Sequence, residues 1–395
     1  MTRKPTRTHR RKVVARIDTR LFEATAQDLA SDGRGVVKHP DGRTFFVAGA
    51  WLGERVQVRP TGQQGKVAFG EVAAVLDPAD ARVPPSCAHH GYSDGDCGGC
   101  PWMMVDYSAQ LAAKQQRVAQ TLARLGASAA LQPALAAPKA LGYRNRAQFK
   151  TDGRHLGYVS ARSNHLVPIA DCAVLSEPNR LTLKNLLADL PNEAWQPKRR
   201  EPWVTIDIDD QNDAVQIDQR LPFRQGNTAQ NAVMRDWLAS QCAPYDADTP
   251  VLELFCGSGN FTEVLVNAGF KQIAAAEVGE ASLAGLAAHN WPQVTPLAVN
   301  LFDEAAVETL AQQHKNTRLL VLDPPRDGLK VRAPLLKKLR ALETVFYVAC
   351  DLATWARDVT DFQQSGFMIA SVTPVDLFPQ TPHIELLSTL VRAKK

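Results

Sequence analysis

From Thr249 onward, apolar runs of strand length alternate with longer segments whose apolar residues recur every three to four positions. Runs at 251–255, 272–277, 295–299, 318–323, 344–349, 368–375 and 384–392 predict seven strands with helices between them. Their apolar character is continuous, as expected of strands buried on both faces. The pattern therefore predicts a doubly wound α/β sheet, with an antiparallel return formed by the last two runs. Residues 17–80 read differently. Short alternating segments, among them Gly33-Arg34-Gly35-Val36-Val37, Thr44-Phe45-Phe46-Val47 and Arg55-Val56-Gln57-Val58, are divided by glycine turns and predict a small β-barrel. Pro84-Pro85 marks a boundary into a mixed α+β region, 81–227. Within it Tyr107 to Leu125 reads as an amphipathic helix with Lys114 and Arg117 on its wet face. A hinge at Leu221–Asn227 leads into a last domain, 228–395.

Three of the predicted strands end in reactive groups. The run at 251–255 passes into Cys256-Gly257-Ser258-Gly259-Asn260, the run at 318–322 into Asp323-Pro324-Pro325-Arg326, and the run at 344–349 into Cys350. In an open parallel sheet that edge is where ligands bind, so a glycine turn, a carboxylate and a thiol converge there. Cys350 is a candidate nucleophile, against the commoner fate of cysteine as a small buried apolar residue. Glu277 ends the second run, placed to accept hydrogen bonds from ribose hydroxyls. Thr262 stands where a dinucleotide fingerprint has its third glycine, so a ribose clamp without a pyrophosphate site fits S-adenosylmethionine better than NAD.

Composition sharpens the picture in three places. Net charge is only +4, but Arg3, Lys4, Arg7, Arg10, Arg11, Lys12 and Arg16 form an acid-free arm over residues 1–16 that suits phosphate contacts. With no apolar run of spanning length, the expected location is the cytoplasm. Of seven cysteines, Cys87, Cys97 and Cys100 fall close together, and Cys172 is the candidate fourth ligand. Four thiolates suit zinc or an iron–sulfur cluster, and one C-x-x-C knuckle with two distant single cysteines fits the cluster better. Trp102 and Met103 would supply its apolar shell, and His89 and His90 read as solvated loop residues. Tyr143–Lys150, followed by Arg154, His155, Arg162 and His165, mixes cations with aromatics as single-stranded RNA requires. Phe223, two residues before Gln225, could stack on a base.

The segments Leu254–Thr262, Leu322–Arg326, Tyr347–Asp358 and Phe378–Glu385 together resemble the motif set of the RNA uracil-5 methyltransferases, and the likeness covers nearly the whole chain. The N-terminal segments resemble the OB-like TRAM barrel, and the barrel plus a four-cysteine site is most similar to the 23S rRNA enzymes of that family. The resemblance implies a seven-stranded S-adenosylmethionine-dependent methyltransferase domain, Cys350 as nucleophile and Glu385 as general base. It implies Gln225, Phe255, Asn260, Glu277, Asn300 and Asp323 around the methyl donor, and Phe223 and Asp323 against the target base. It also implies a [4Fe-4S] cluster on Cys87, Cys97, Cys100 and Cys172 in a monomeric, RNA-binding protein. The Cys87–Cys97 spacer is longer than is usual in the family, and Asp351-Leu352 replaces the usual Asn-Pro after the nucleophile. Other readings are a tRNA uracil-5 methyltransferase, a non-catalytic RNA-binding factor and transfer to a nucleobase amine. A binder has no need of Cys350, Asp323 and Glu385 together, and Arg326 stands where an amine methyltransferase would place a stacking aromatic.

Overall fold

The computed structural model describes residues 19–160, 163, 165–211, 214–219 and 223–393; the basic arm and Arg162 lie outside them. The chain forms two compact units divided after Asp106. In the first, strands β1 (Phe22–Thr25), β2 (Asp28–Leu29), β3 (Gly35–Lys38), β4 (Thr44–Ala48), β5 (Arg55–Gln64) and β6 (Val67–Asp77) form one sheet in the order β1-β5-β6-β4-β3-β2. Alternation in β4 sends Phe45 and Val47 inward, where they meet Val37, Val56 and Val58. Register shifts along the β5–β6 ribbon bend it.

The cysteine-bearing segment after Pro84-Pro85 belongs to this unit. Fully buried Glu54 accepts hydrogen bonds from the Trp51 and Ala79 amides and from the Arg82 guanidinium. Trp102, expected as part of a cluster shell, is wholly buried, donates its indole N–H to the Gly33 carbonyl at 2.9 Å and packs edge-on against Trp51. A large ring with one polar tip thus closes the unit.

The second unit opens with α1 (Tyr107–Arg124). A five-stranded antiparallel sheet follows in the order β11-β10-β7-β8-β9, built from β7 (Arg146–Thr151), β8 (Leu156–Val159), β9 (Leu166–Pro168), β10 (Val204–Asp209) and β11 (Ala214–Ile217). Helix α2 (Glu177–Ala188) covers it through Leu183 and Leu186. Helix α3 (Thr228–Cys242) then enters the larger sheet, formed by β12 (Val251–Leu254), β13 (Ile273–Glu277), β14 (Val294–Ala298), β15 (Leu319–Leu322), β16 (Thr344–Ala349), β17 (Phe367–Val375) and β18 (Glu385–Arg392). Its order is β14-β13-β12-β15-β16-β18-β17, with β18 antiparallel to both neighbours.

Every residue of β12, β15 and β16 is buried because helices cover both faces. On one side α3 and α4 (Thr262–Asn267) contribute Met234, Leu238 and Leu265 to a core with Val251, Val321 and Val348. On the other, α6 (Glu304–Gln313), α7 (Ala333–Lys338) and α8 (Leu352–Gln364) contribute Leu310, Leu335 and Trp355. A short α5 (Glu280–Ala288) flanks β14. Helix α1 joins the second core through Val118 and Leu122. This turns the expected orientation of α1 around: Lys114 is wholly buried rather than on a wet face.

Candidate active site

The chain reverses its strand order between β12 and β15, and the crevice at their C-terminal ends is the switch point at which such sheets bind ligands. At the tip of β12, Phe255 has φ +63°, a conformation uncommon outside glycine, and Gly257 and Gly259 continue the turn with φ +55° and +102°. A Cβ on Gly259 would stand 2.8 Å from Leu286 Cδ1, so the loop closes this tightly only with glycine there. Glu277, at the end of β13, accepts from the amides of Val278 at 2.7 Å, Gly279 at 2.9 Å and Gly257 at 3.3 Å. Its carboxylate therefore braces the glycine loop it faces. Asn260 exchanges reciprocal amide hydrogen bonds of 3.0 Å with Asn231 of α3. Asn300 accepts from the Phe302 amide at 3.0 Å, and the Phe302 ring rests 5.9 Å from that of Phe255. Val278 and Phe302 stay exposed beside these polar groups, an apolar margin that sequence patterning missed.

At the next tips the charges are unusual. Burial pushes the Cys350 thiol up to about 12, helped by the negative charges of Glu385 and Asp323 and opposed by Arg326. Glu385 is buried, and that burial, with Asp323 adding to it, raises its carboxyl well above the ordinary range, again against Arg326. Although part of Asp323 still meets solvent, enclosure by protein raises it to about 7. Glu253, on β12, is the member that sequence reading overlooked; its signal was a lone charge inside an apolar run. Burial raises it to about 8, the Thr262 hydroxyl opposes that rise by donating at 2.6 Å, and Asp323 adds to it. A thiol and three carboxyl groups thus share a low-dielectric crevice in which their neutral forms are favoured.

Cys350 and Glu385 meet because of strand register. Ala349, the last residue of β16, pairs with Leu386, the second of β18, so Cys350 follows directly from one strand as Glu385 begins the other. Asp351 caps α8 by accepting from the amides of Ala353 and Thr354, so it orders the turn where the family has Asn-Pro.

Other expected residues are placed less decisively. The Gln225 carbonyl accepts from Asn145 at 2.8 Å, and Phe223 is 75% exposed. On the β7 face expected to meet RNA, Arg146 and Gln148 both bond Asp207, and Lys150 bonds Thr205 at 2.6 Å, so this sheet engages much of that polar row itself. In the first unit, the long spacer folds back on itself: the Cys97 amide donates to the His89 carbonyl and the His90 amide to the Cys87 carbonyl, which draws Cys97 towards Cys87. The donors and their loop thus suit a thiolate-bound group. Cys172 lies in the second unit, 4.0 Å from the Tyr158 hydroxyl. Among the described residues no three His, Cys, Asp or Glu side chains are gathered to hold a metal ion. Nor is any helix among them long and apolar enough to cross a membrane.

A seven-stranded sheet with one reversed strand and a braced glycine loop at its switch point defines an α/β methyltransferase domain with a β-rich N-terminal region. Its fold matches the crystal structure of Pyrococcus abyssi tRNA (uracil-54, C5)-methyltransferase in complex with S-adenosyl-L-homocysteine, with a TM-score of 0.69 over 94% of this chain and 100% of that one. At 18% identity this likeness concerns the fold alone. The family model for tRNA (Uracil-5-)-methyltransferase matches residues 204–393. A protein named as an uncharacterized RNA methyltransferase of Nitrosomonas europaea is 38% identical, over 93% of this chain and 96% of its own. A 23S rRNA (uracil(1939)-C(5))-methyltransferase of Pseudomonas fluorescens is 30% identical over 92% of both chains. The chain belongs to the RNA uracil-5 methyltransferase family and is a methyltransferase that uses S-adenosylmethionine.

Proposed function

We propose that this chain methylates C5 of a uridine in 23S rRNA, with Cys350 as nucleophile and Glu385 as general base. The choice of RNA is supported by the near full-length similarity to the Pseudomonas fluorescens enzyme. The chemistry is supported above all by the β16–β18 register, which sets a thiol and a carboxyl at adjoining strand ends. Uracil C5 is too weak a nucleophile to be methylated unaided. The Cys350 thiolate adds to C6, forming an S–C6 bond and moving the C5=C6 electron pair towards the C4 carbonyl as an enolate. C5 takes the methyl group from S-adenosylmethionine, whose sulfonium leaves as a neutral thioether. Glu385 removes the C5 proton, the C–H pair restores C5=C6, and the S–C6 bond breaks to release the thiolate.

In this reading Gln225, Phe255, Asn260, Glu277, Asn300 and Asp323 surround the methyl donor. Glu277 ends β13 and Asn300 follows β14 at the C-terminal edge of the sheet, and Phe255 with Phe302 offers apolar surface there. Phe223, exposed and unburdened by packing, is suited to stack on an unpaired base, with Asp323 reading its edge. The barrel-like first unit and the basic arm engage the RNA. We also propose that Cys87, Cys97, Cys100 and Cys172 hold a [4Fe-4S] cluster of structural role, on the strength of the thiol donor set and the folded-back loop; no catalytic step depends on it.

Total RNA from a deletion strain, methylated in vitro and mapped for 5-methyluridine, tests the target: a new site in tRNA and none in 23S rRNA would reassign it. Cys350→Ala should bind S-adenosylmethionine yet transfer nothing, and methylation at the wild-type rate would refute the covalent mechanism. Anaerobically purified protein should be brown and contain iron and sulfide; stoichiometric zinc instead would overturn the cluster.

A further inference from the structure

The segment between β17 and β18, residues 376–384, carries no regular secondary structure yet ends on Glu385. Its backbone is held almost residue by residue. Gln230 donates to the Asp376 carbonyl at 2.8 Å, Asn227 to Leu377 at 3.1 Å, Lys114 to Phe378 at 3.3 Å, Tyr143 to Pro379 at 3.0 Å and Arg117 to Pro382 at 2.9 Å. Gln110 makes two bonds of 2.9 Å to Gln380, one to its side chain and one from its amide, and Gln380 has φ +69°. Lys114 also donates to Asp376 Oδ1 at 2.6 Å, and both side chains are wholly inaccessible to solvent.

Gln110, Lys114 and Arg117 are spaced i, i+4 and i+7, so they share one face of α1. That face would be expected to present only apolar groups to a core, as Val118 and Leu122 do. A buried ion pair is a poor source of stability, because desolvation offsets its attraction and well-packed hydrophobic residues often do better. What the pair and the Gln110 amide supply is directional: donors fixed on a rigid helix, aimed at an otherwise irregular strand of backbone.

We propose that this face of α1 is a positioning element for the general base, setting the height and angle at which Glu385 meets the C5 proton. The proposal rests on the assignment of Glu385 as base. It makes Gln110, Lys114 and Arg117 positioning residues, none of which touches substrate. Misplacement of a catalytic group by about 1 Å costs on the order of a hundredfold in rate. Loosening the segment should therefore slow proton removal more than any earlier event. The S–C6 adduct would then persist after methyl transfer, because the proton stays on C5 and the thiolate cannot leave.

The test uses the full chain in single turnover with S-adenosylmethionine and 23S rRNA from a deletion strain. Variants are Gln110→Leu, the charge-neutral pair Lys114→Met/Asp376→Leu, and Arg117→Met, with Glu385→Gln as reference. Free methylated RNA and denaturant-resistant protein–RNA adduct are followed separately, alongside S-adenosylmethionine affinity and thermal unfolding. The expected result is product release slowed about tenfold or more in Gln110→Leu and the double variant, and a few-fold in Arg117→Met. Adduct should accumulate as in Glu385→Gln, with cofactor affinity within about twofold of wild type. Product release at the wild-type rate, or lost activity without adduct, would overturn the proposal, since a structural defect would depress adduct formation too. If the two core variants fail to fold, Arg117→Met decides alone, because its side chain is partly exposed. If Glu385→Gln itself forms no adduct, the base assignment falls and the positioning role with it; adduct in Glu385→Gln but in none of the α1 variants refutes the positioning role only.

Discussion

Glu253→Gln isolates the energetic cost of burying a carboxyl group under the active site. In the wild type this carboxyl lies inside β12, 2% exposed, and is raised from 4.5 to about 8. The variant keeps an oxygen to accept the Thr262 hydroxyl but removes the ionisable proton. Below about pH 4.5 the carboxyl is neutral whether the chain is folded or not. Between the two values the unfolded chain loses the proton while the folded one keeps it, so wild-type stability falls as pH rises, and above about 8 the deficit is constant. The full displacement corresponds to about 5 kcal/mol at 1.36 kcal/mol per decade, of which about 3 kcal/mol falls between pH 5.5 and pH 9. Denaturant unfolding of both proteins at those two pH values measures it. The difference between wild type and variant should move by about 2–3 kcal/mol in favour of Glu253→Gln at the higher pH. Parallel loss of stability in the two proteins would refute the picture of a buried neutral acid.

The pH dependence of catalysis follows from burial of the same kind. Cys350 and Glu385 both have raised values and both act deprotonated, so kcat/KM should rise with pH from neutrality into the alkaline range, and a flat or falling profile would contradict their roles. Asp358 is fully buried and accepts from the Leu329 amide, the Tyr347 hydroxyl, Arg332 and Arg357. Asp358→Leu should cost about 3 kcal/mol or more in denaturant unfolding, since the Leu329 amide and the Tyr347 hydroxyl lose a buried acceptor and Arg332 and Arg357 each lose one of their partners. Gly259→Val, at φ +102° and against Leu286, should weaken S-adenosylmethionine binding at least about tenfold by calorimetry.

The large sheet was legible because its strands are buried on both faces. The run at 344–349 coincides with β16, and the other six runs fall within a residue of the observed strands; at 251–255 the extra residue is Phe255, which leaves the strand for a left-handed turn. The antiparallel return was legible as well, but the insertion of β18 between β16 and β17 was not, since pairing order leaves no trace in periodicity. Cys350, Asp323 and Glu277 announced themselves at strand ends. Lys114 misled, because a lysine on an amphipathic helix ordinarily marks the solvent side, and its buried partner Asp376 lies far away in sequence. The partners of the Arg146 and Lys150 row, expected to face RNA, were likewise not legible, because Asp207 and Thr205 come alongside only through the pairing of β7 with β10. The cysteine segment was assigned beyond the barrel because Pro84-Pro85 looked like a linker, whereas Arg82 and Trp102 tie both of its ends to the first unit.

The β16–β18 ladder has a consequence for how this enzyme can change over time. The separation of thiol and base is read from six consecutive residue pairs, Thr344↔Val391 to Ala349↔Leu386, and not from the path of the chain between them. Insertions in α8 or in the turn before β17 would lengthen that path and leave the separation untouched. A single residue gained or lost within β16 or β18 would shift the ladder and turn one partner to the opposite face of the sheet. The solvent-facing side of α8 and the turn before β17 are thus free to drift in length and surface, while the ladder and the pinned segment 376–384 that leads into Glu385 are not.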